Sequence, residues 1–576
     1  MLNWCKEYER WLAFNQLDDE MKELLVKAKD NESLLEDCFY KNLEFGTAGM
    51  RGEIGVGTNR LNVYTVRKAA EGLARFIEKK GVVEKQRGVV IAYDSRHKSS
   101  EFAMETALTL GERGIKTYVF DALRPTPELS FAIRYLNAFR GVVITASHNP
   151  PEYNGFKIYG EDGGQLLPQE ADELIAYVNA VENELTITTS NQETLMANGQ
   201  LFIIGEVVDT EYIKHLKTVI INPNLVEKYG DDLHIVYSPL HGAANVLVQK
   251  SLKEVGFKHV TVVKEQEQPD PNFSTVASPN PENENVFELA VKYGQEKRAD
   301  VLIATDPDGD RVGVSICNHE GEFIVLTGNQ IGALLIEYIL SQKQKNDCLP
   351  ENAIVLKSIV TSELGRKICE EYGVAMKDVL TGFKYIAQKI RDFEENEEFV
   401  FQMGYEESFG YLVRDFTRDK DAVQAVLLIG EVATYYKSEG KTLYDGLLEI
   451  YEKYGFYHEG QVSLSYKGIE GSKKIKSLME SFRQDIPLSI GDMIVTRMAD
   501  YSQGIYCDLH TQQKENINLP KSDVIKFFVE DGSWFCIRPS GTEPKIKFYF
   551  DVLGSSMEES ERKLNLLKSY ILNRVG

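Results

Sequence analysis

The sequence predicts an α/β protein of several domains: three similar mixed-sheet α/β domains and a smaller C-terminal α+β domain around a central cleft. Three observations carry this. The chain has 576 residues, and single cores rarely grow past roughly 250–300 residues. A pattern of apolar strand, polar loop, helix and second strand occurs three times, which implies parallel or mixed sheets with ligand loops at the strand ends. From about residue 450 that pattern gives way to short strand-like runs and helix-like stretches such as Lys473 to Phe482.

The elements follow in chain order. Residues 1–40 read as an amphipathic helical extension, with Trp11, Leu12, Met21, Leu24, Leu25, Leu34 and Leu35 at roughly helical spacing. The first α/β domain, 41–205, has a strand at Gly88 to Tyr93, the polar loop Asp94-Ser95-Arg96, a helix through Leu110, a strand at Thr117 to Phe120 and the loop Arg124-Pro125-Thr126-Pro127. The second, 206–318, has a strand at Leu233 to Tyr237, the loop Ser238 to Gly242, a helix to about Glu254 and a strand at His259 to Val263. The third, 319–445, has a strand at Ala353 to Leu356, a helix to Tyr372 and a return strand ending in Thr381-Gly382-Phe383-Lys384. The fourth domain is 446–576. The Asn- and Gln-rich patch at 190–200 and the Lys/Gln-rich 342–347 read as loops or linkers.

Composition narrows the function. A net charge of −23 argues against nucleic acid, whose phosphates select basic surfaces. No segment approaches the ~20 apolar residues a membrane span needs, and the charged N-terminus lacks the apolar stretch of a signal peptide. Seven scattered cysteines read as reduced thiols, placing the protein in the cytoplasm. No feature announces an oligomeric interface.

Five segments carry chemistry. Gly141 to Ile144 delivers Thr145-Ala146-Ser147-His148-Asn149-Pro150 onto a loop stiffened by Pro150 and Pro151; Asn154-Gly155 and Lys157 follow. That loop offers a nucleophile, an imidazole and an ammonium. Val301 to Ala304 ends in Asp306-Pro307-Asp308-Gly309-Asp310-Arg311. Its three carboxylates make a hard oxygen site suited to Mg²⁺, and without a cation they would repel each other; the alternative is a turn of solvated aspartates. Arg538-Pro539-Ser540-Gly541-Thr542 offers a guanidinium fork, hydroxyls and a close backbone for phosphate, or a plain hairpin turn. Gly404-Tyr405-Glu406-Glu407-Ser408 could read vicinal sugar hydroxyls, and Thr47 to Gly52 frames Arg51 with glycines. There is no G-x-x-x-x-G-K-[ST] nucleotide loop and no G-x-S-x-G elbow. A serine beside a Mg²⁺ site without a nucleotide loop fits a phosphoserine that gives and regains its phosphoryl group.

In four of these motifs, and in their order, the chain resembles the α-D-phosphohexomutases, the phosphoglucomutase/phosphomannomutase superfamily, over about residues 40–555. The Gly-Tyr-Glu-Glu-Ser form is similar to the long phosphoglucomutase/phosphopentomutase branch. The resemblance implies a mutase of glucose 1-phosphate and glucose 6-phosphate working through a phosphoserine, Mg²⁺ and glucose 1,6-bisphosphate. Pentose or mannose phosphates are the alternatives. It implies Ser147 as the phosphorylated residue, and Asp306, Asp308, Asp310 and a phosphoserine oxygen around Mg²⁺. Arg51 and Arg311 would lie at the reacting phosphate, and His148 and Lys157 are proton-transfer candidates. Glu406 and Ser408 would grip sugar hydroxyls. Thr47, Gly382 and Lys384 would help place the substrate, and Arg538, Ser540, Gly541 and Thr542 would clamp the idle phosphate. A lysine base must be deprotonated, so burial or nearby cations are expected to lower its pKa. A hinging last domain would suit a clamp that takes either phosphate. Two rivals differ in kind: a Mg²⁺ phosphatase with Asp306 as nucleophile, and a non-catalytic sugar-phosphate sensor.

Overall fold

The computed structural model describes residues 3–46, 49–466, 468–540 and 545–575. The chain forms two compact units, Met1–Thr327 with Phe383–Thr442, and Gly328–Gly382 with Leu443–Gly576.

In the first unit, a seven-stranded sheet is built from β1 (Phe45–Gly46), β2 (Gly49–Glu53), β3 (Val89–Tyr93), β4 (Thr117–Phe120), β5 (Arg140–Ile144), β6 (Tyr153–Tyr159) and β7 (Leu201–Ile204). Their spatial order is β1-β2-β6-β5-β3-β4-β7. Strands β5, β3, β4 and β7 run parallel, whereas β6 is antiparallel to both β5 and β2. The continuous apolar run of β5 has a physical reason. Val142 and Ile144 join Leu73, Phe76 and Phe102 in one core cluster, while Gly141 lies against Leu129 and Ile133 of the helix Thr126–Tyr135. Side chains alternate along a strand, so both faces of β5 are covered by helices.

The N-terminal extension forms helices Asn3–Leu12, Asp19–Ala28 and Glu32–Phe39, the last two capped by Asp18 and Asn31. Their apolar faces, among them Trp11, Met21, Leu25 and Phe39, pack with Val56, Tyr64 and Leu185 of the first domain.

A second sheet holds β8 (His234–Ser238), β9 (His259–Val262), β10 (Val301–Thr305), β11 (Val312–Cys317) and β12 (Phe323–Val325), ordered β12-β11-β10-β8-β9. Strands β8, β9 and β10 are parallel, and β11 and β12 return antiparallel. In the second unit β13 (Ala353–Ser358) and β14 (Ala375–Val379) are parallel. Back in the first unit, β15 (Val400–Glu406) and β16 (Gly410–Leu412) form an antiparallel hairpin.

The C-terminal part of the second unit is an antiparallel sheet of β17 (Phe456–Ser465), β18 (Ser489–Ile490), β19 (Met493–Asp500), β20 (Ile505–Asp508), β21 (Lys514–Asn516), β22 (Ile525–Val529), β23 (Trp534–Pro539) and β24 (Lys545–Gly554). Its order is β17-β24-β23-β22-β19-β20-β21, with β18 beside β19. Apolar side chains of helix Met557–Val575 and of residues 475–482 share a core with it.

Two linker readings are corrected. Within 190–200, Asn191 caps the helix Gln192–Ala197, and the helix Gly328–Lys345 runs into the 342–347 stretch with Gln342 and Lys343 buried. Asn is a good cap, and Gln and Lys are good helix formers once packing decides. All seven cysteines are free. Among the described residues no helix is long and apolar enough to cross a membrane.

Candidate active site

Three hairpins in the first unit carry the loops singled out by sequence. Each starts at the C-terminal end of a strand: β5 to β6 holds Ser147, β10 to β11 holds the three aspartates, and β15 to β16 holds the turn Glu407-Ser408-Phe409. An antiparallel return folds each loop back over its own strand. It places Lys157 opposite Val143, so the lysine comes back beside the serine loop.

Ser147 is buried, with a left-handed backbone (φ 53°). Such a conformation costs an L-residue roughly 1–2 kcal/mol, and local contacts hold it. The Ser147 amide donates to Thr145 Oγ1 at 2.8 Å. Its Oγ lies 3.0 Å from Asp306 Oδ2 and 3.1 Å from His148 Nδ1. Burial, then the charges of Arg311 and Arg51, hold the His148 imidazole well below its usual pKa. It is therefore neutral near pH 7. Arg51, on β2 opposite Gly155, donates to Asn149 Oδ1 at 2.8 Å.

The aspartate loop meets the serine loop at Asp306. Asp306, Asp308 and Asp310 are buried and offer oxygens within 4.8 Å of one another. Asp306 Oδ1 accepts the amides of Asp310 (3.0 Å) and Arg311 (2.9 Å). Asp308 Oδ2 accepts Lys157 Nζ at 2.9 Å and Thr126 Oγ1 at 3.2 Å. Asp310 Oδ2 pairs with Lys420 Nζ at 3.0 Å. The loop needs a glycine at Gly309: φ is +66°, and a Cβ there would sit 2.7 Å from Pro125 Cβ. Arg311 pairs with Glu282.

Burial, and then the charges of Asp308 and Asp310, push the Asp306 carboxyl well above the usual range. For Asp308, burial acts upward, but Lys157 and Lys420 outweigh it and hold the carboxyl below its ordinary value. Asp308 Oδ1 and Asp310 Oδ1 are buried and accept no hydrogen bond among the described residues. Two orphaned carboxylate oxygens in a cluster of three buried aspartates fit a hard divalent cation.

The sugar-reading candidate lies against the aspartate loop. The Val312 amide donates to Phe409 O at 3.1 Å and the Ala422 amide to Gly309 O at 3.2 Å, and Arg311 bridges to Gly410. Glu406 is buried and Ser408 half-buried. Gly410 leaves room for Lys420: a Cβ there would sit 2.2 Å from Lys420 Cδ. Lys384, in the first turn of helix Phe383–Asn396, lines a small cavity with Asp162, Glu170 and Arg391; burial lowers its pKa. Gly382 has φ +118° and lies in the second unit. So do Arg538, half-buried at the end of β23, and Ser540, whose amide donates to Lys545 O at 2.7 Å. Thr47, Gly541 and Thr542 lie outside the described residues.

The structure thus joins Ser147, His148, Lys157, Arg311 and the three aspartates in one constellation. The sequence alone does not mark Arg96, Thr126 or Lys420 as part of it. The signals are present: Arg96 sits in the loop after β3, Thr126 opens the helix that follows the loop after β4, and Lys420 is a cation set between Asp419 and Asp421.

Four family models match along the chain: phosphoglucomutase/phosphomannomutase alpha/beta/alpha domain I at residues 42–185, domain II at 210–319, domain III at 327–454 and the C-terminal domain at 497–561. A phosphoglucomutase of Staphylococcus haemolyticus is 40% identical over 529 residues, covering 91% of this chain and 93% of its own length. The chain belongs to the phosphoglucomutase/phosphomannomutase family. Another relative in this family, a phosphoglucomutase of Staphylococcus aureus, is 39% identical over 533 residues, covering 92% of this chain and 93% of its own. Solved structures share the family fold at lower identity. The Paramecium pp63/parafusin phosphoglucomutase superposes with a TM-score of 0.69 at 17% identity, covering 93% of this chain and 95% of its own. A family member from Burkholderia thailandensis superposes with a TM-score of 0.64 at 18% identity, covering 91% and 97%. The four family models match the three α/β domains and the smaller C-terminal domain that the sequence predicts.

Proposed function

We propose that this family member is a phosphoglucomutase that interconverts glucose 1-phosphate and glucose 6-phosphate through a phosphoserine at Ser147 and a glucose 1,6-bisphosphate intermediate. The observation that carries the reading is the placement of Ser147 Oγ, 3.0 Å from Asp306 at the edge of the buried aspartate cluster. The 39–40% identical phosphoglucomutases support glucose as the sugar.

Asp306, Asp308, Asp310 and a phosphoserine oxygen would hold Mg²⁺. When bound, the ion would draw charge from the phosphoryl oxygens and ease attack at phosphorus. The protein's own groups do the rest. Phosphoryl transfer depends mainly on in-line positioning and charge neutralisation. In the first half-reaction a sugar hydroxyl attacks the phosphoserine phosphorus, its proton passes to a nearby base, and the bond to Ser147 Oγ breaks. In the second, Ser147 Oγ gives up its proton and attacks the other phosphate of the bisphosphate; the bond from that phosphorus to the sugar oxygen breaks, the sugar oxygen takes a proton, and the serine regains its phosphoryl group. His148, 3.1 Å from the serine oxygen, and Lys157, 2.9 Å from Asp308, would move these protons. Arg51 and Arg311 would neutralise the transferring phosphoryl group. Glu406 and Ser408 would read hydroxyls that stay similar when the sugar turns over. Thr47, Gly382 and Lys384 would help place the substrate, and Arg538, Ser540, Gly541 and Thr542 would grip the idle phosphate.

Mass analysis of the protein after incubation with glucose 1,6-bisphosphate and Mg²⁺ tests this. One added phosphate on the peptide containing Ser147, absent from Ser147→Ala, is the expected result. Phosphate trapped on Asp306, or none on serine, would overturn it.

A further inference from the structure

We propose that Arg96 is a positioning residue for phosphoryl transfer: it fixes the conformation of the Ser147 loop, and Phe273 of the second domain locks it in place. The inference rests on the phosphoserine reading above and extends it to groups that touch neither substrate nor metal.

The hydrogen bonds make the case. Arg96 is 3% exposed, on the loop after β3. Its Nη2 donates to the carbonyls of Ser147, at 2.6 Å, and Asn149. Its Nη1 donates to those of Pro150 at 2.8 Å and Tyr153 at 3.0 Å. One guanidinium therefore collects four carbonyls spread over the turn between β5 and β6. Only a planar fork of several N–H groups can do this; a lysine ammonium has fewer donors and no plane. The carbonyl of Ser147 itself is among the four, so the bond acts directly on the residue whose backbone is strained at φ 53°.

Arg96 is in turn held from two sides. Asp94 Oδ1 accepts the Arg96 amide at 2.9 Å and Ser99 Oγ at 2.7 Å, and Asp94 Oδ2 lies 3.4 Å from Arg96 Nε. On the other side, the guanidinium carbon lies 4.9 Å from the ring centroid of Phe273. Phe273 is buried with φ 49°, an uncommon conformation for a bulky residue. Its neighbours tie the same segment to the serine loop and its surroundings. Asn272 Oδ1 lies 2.8 Å from His97 Nε2, and Ser278 Oγ donates to His148 O at 3.3 Å. The second domain, which carries the aspartates, thus covers the clasp that sets the serine.

The test uses full-length Arg96→Lys, Arg96→Ala and Phe273→Leu beside the wild type. It reads phosphate incorporated at Ser147 from glucose 1,6-bisphosphate, kcat and KM for glucose 1-phosphate, and the thermal midpoint. Misplacing a reacting group by about 1 Å costs on the order of 10²-fold in rate. Arg96→Ala and Arg96→Lys are expected to lose about that factor in kcat, with KM changed less than about threefold. Added guanidinium ion should restore part of the Arg96→Ala rate, and methylammonium should not. Phe273→Leu keeps an apolar side chain and should lose kcat more mildly at unchanged KM. Wild-type kcat in Arg96→Lys or in Phe273→Leu would overturn the inference, even if Arg96→Ala fails to fold. So would a loss in Arg96→Ala that follows KM or the thermal midpoint and that guanidinium does not relieve. If the wild type takes no phosphate on serine, the mutase reading falls and this inference with it. If wild type and Arg96 variants take it equally fast, only this inference falls.

Discussion

Lys157 Nζ lies 2.9 Å from Asp308 Oδ2 in a buried ion pair, and that pairing shapes what the lysine can do. The sequence predicts burial or nearby cations around a lysine base; in the structure Lys157 is buried and paired with an acidic partner. Lys157→Ala should lower kcat by roughly 10²-fold or more, as expected for a lost acid–base group. Unchanged turnover, measured with saturating Mg²⁺ and bisphosphate, would remove Lys157 from the chemistry. Ser147 and the three aspartates were legible in the sequence because each acts from within a short continuous loop. Arg96, Thr126 and Lys420 were not. Each acts on a loop far away in sequence: Thr126 reaches Asp308 from 182 residues off, and only the fold supplies that proximity.

At the level of elements, the strands were the most legible. Val89–Tyr93, Thr117–Phe120 and Val301–Thr305 appear within a residue of their expected ends, because apolar β-branched runs have few other uses. What the runs could not show is direction. The antiparallel returns β5–β6 and β10–β11 turn the loops back on themselves, and a strand's partner is fixed by contacts outside the strand. The helix Thr126–Tyr135 shows a second hidden feature. Its Glu128 is fully buried, and neither carboxylate oxygen accepts a hydrogen bond among the described residues. Burial, and then the nearby charge of Asp209 on helix Glu206–Leu216, push the Glu128 carboxyl well above its ordinary value. The folded state therefore holds a proton that the unfolded chain releases near pH 4.3. The stabilisation is complete below that pH and is lost as pH rises through the folded-state value, by at most about 1.4 kcal/mol per pH unit. Glu128→Gln cannot ionise. Urea melts at pH 5 and pH 8 should show the variant gaining on the wild type at pH 8; a difference independent of pH would rule out the buried proton.

At the scale of the molecule, the N-terminal helices are part of the first domain's packing rather than a loose cap. Trp11 is fully buried, meets Phe39 and Tyr64 edge to face at 5.7 and 5.3 Å, and donates Nε1–H to Glu184 at 2.8 Å. Trp11→Ala should destabilise the first unit by about 3–5 kcal/mol, the usual cost of emptying a buried aromatic site. A denaturant midpoint equal to wild type would show that the helices are dispensable. The sequence announced their amphipathic spacing, but not that Val56, Tyr64 and Leu185 complete their core, since those partners carry no mark of it in the chain.

The central claim is that one serine, beside one metal cluster, serves both ends of a glucose phosphate. The most direct test is a substrate panel with Mg²⁺ and a catalytic amount of the matching sugar bisphosphate. It compares glucose 1-phosphate, mannose 1-phosphate and ribose 1-phosphate, with Ser147→Ala and a chelator as controls. The account predicts that glucose 1-phosphate turns over fastest, that chelation stops the reaction and that Ser147→Ala is slower by on the order of a thousandfold or more. A faster rate on ribose or mannose 1-phosphate would change the substrate and leave the mechanism standing; full activity in Ser147→Ala would contradict the account at its root.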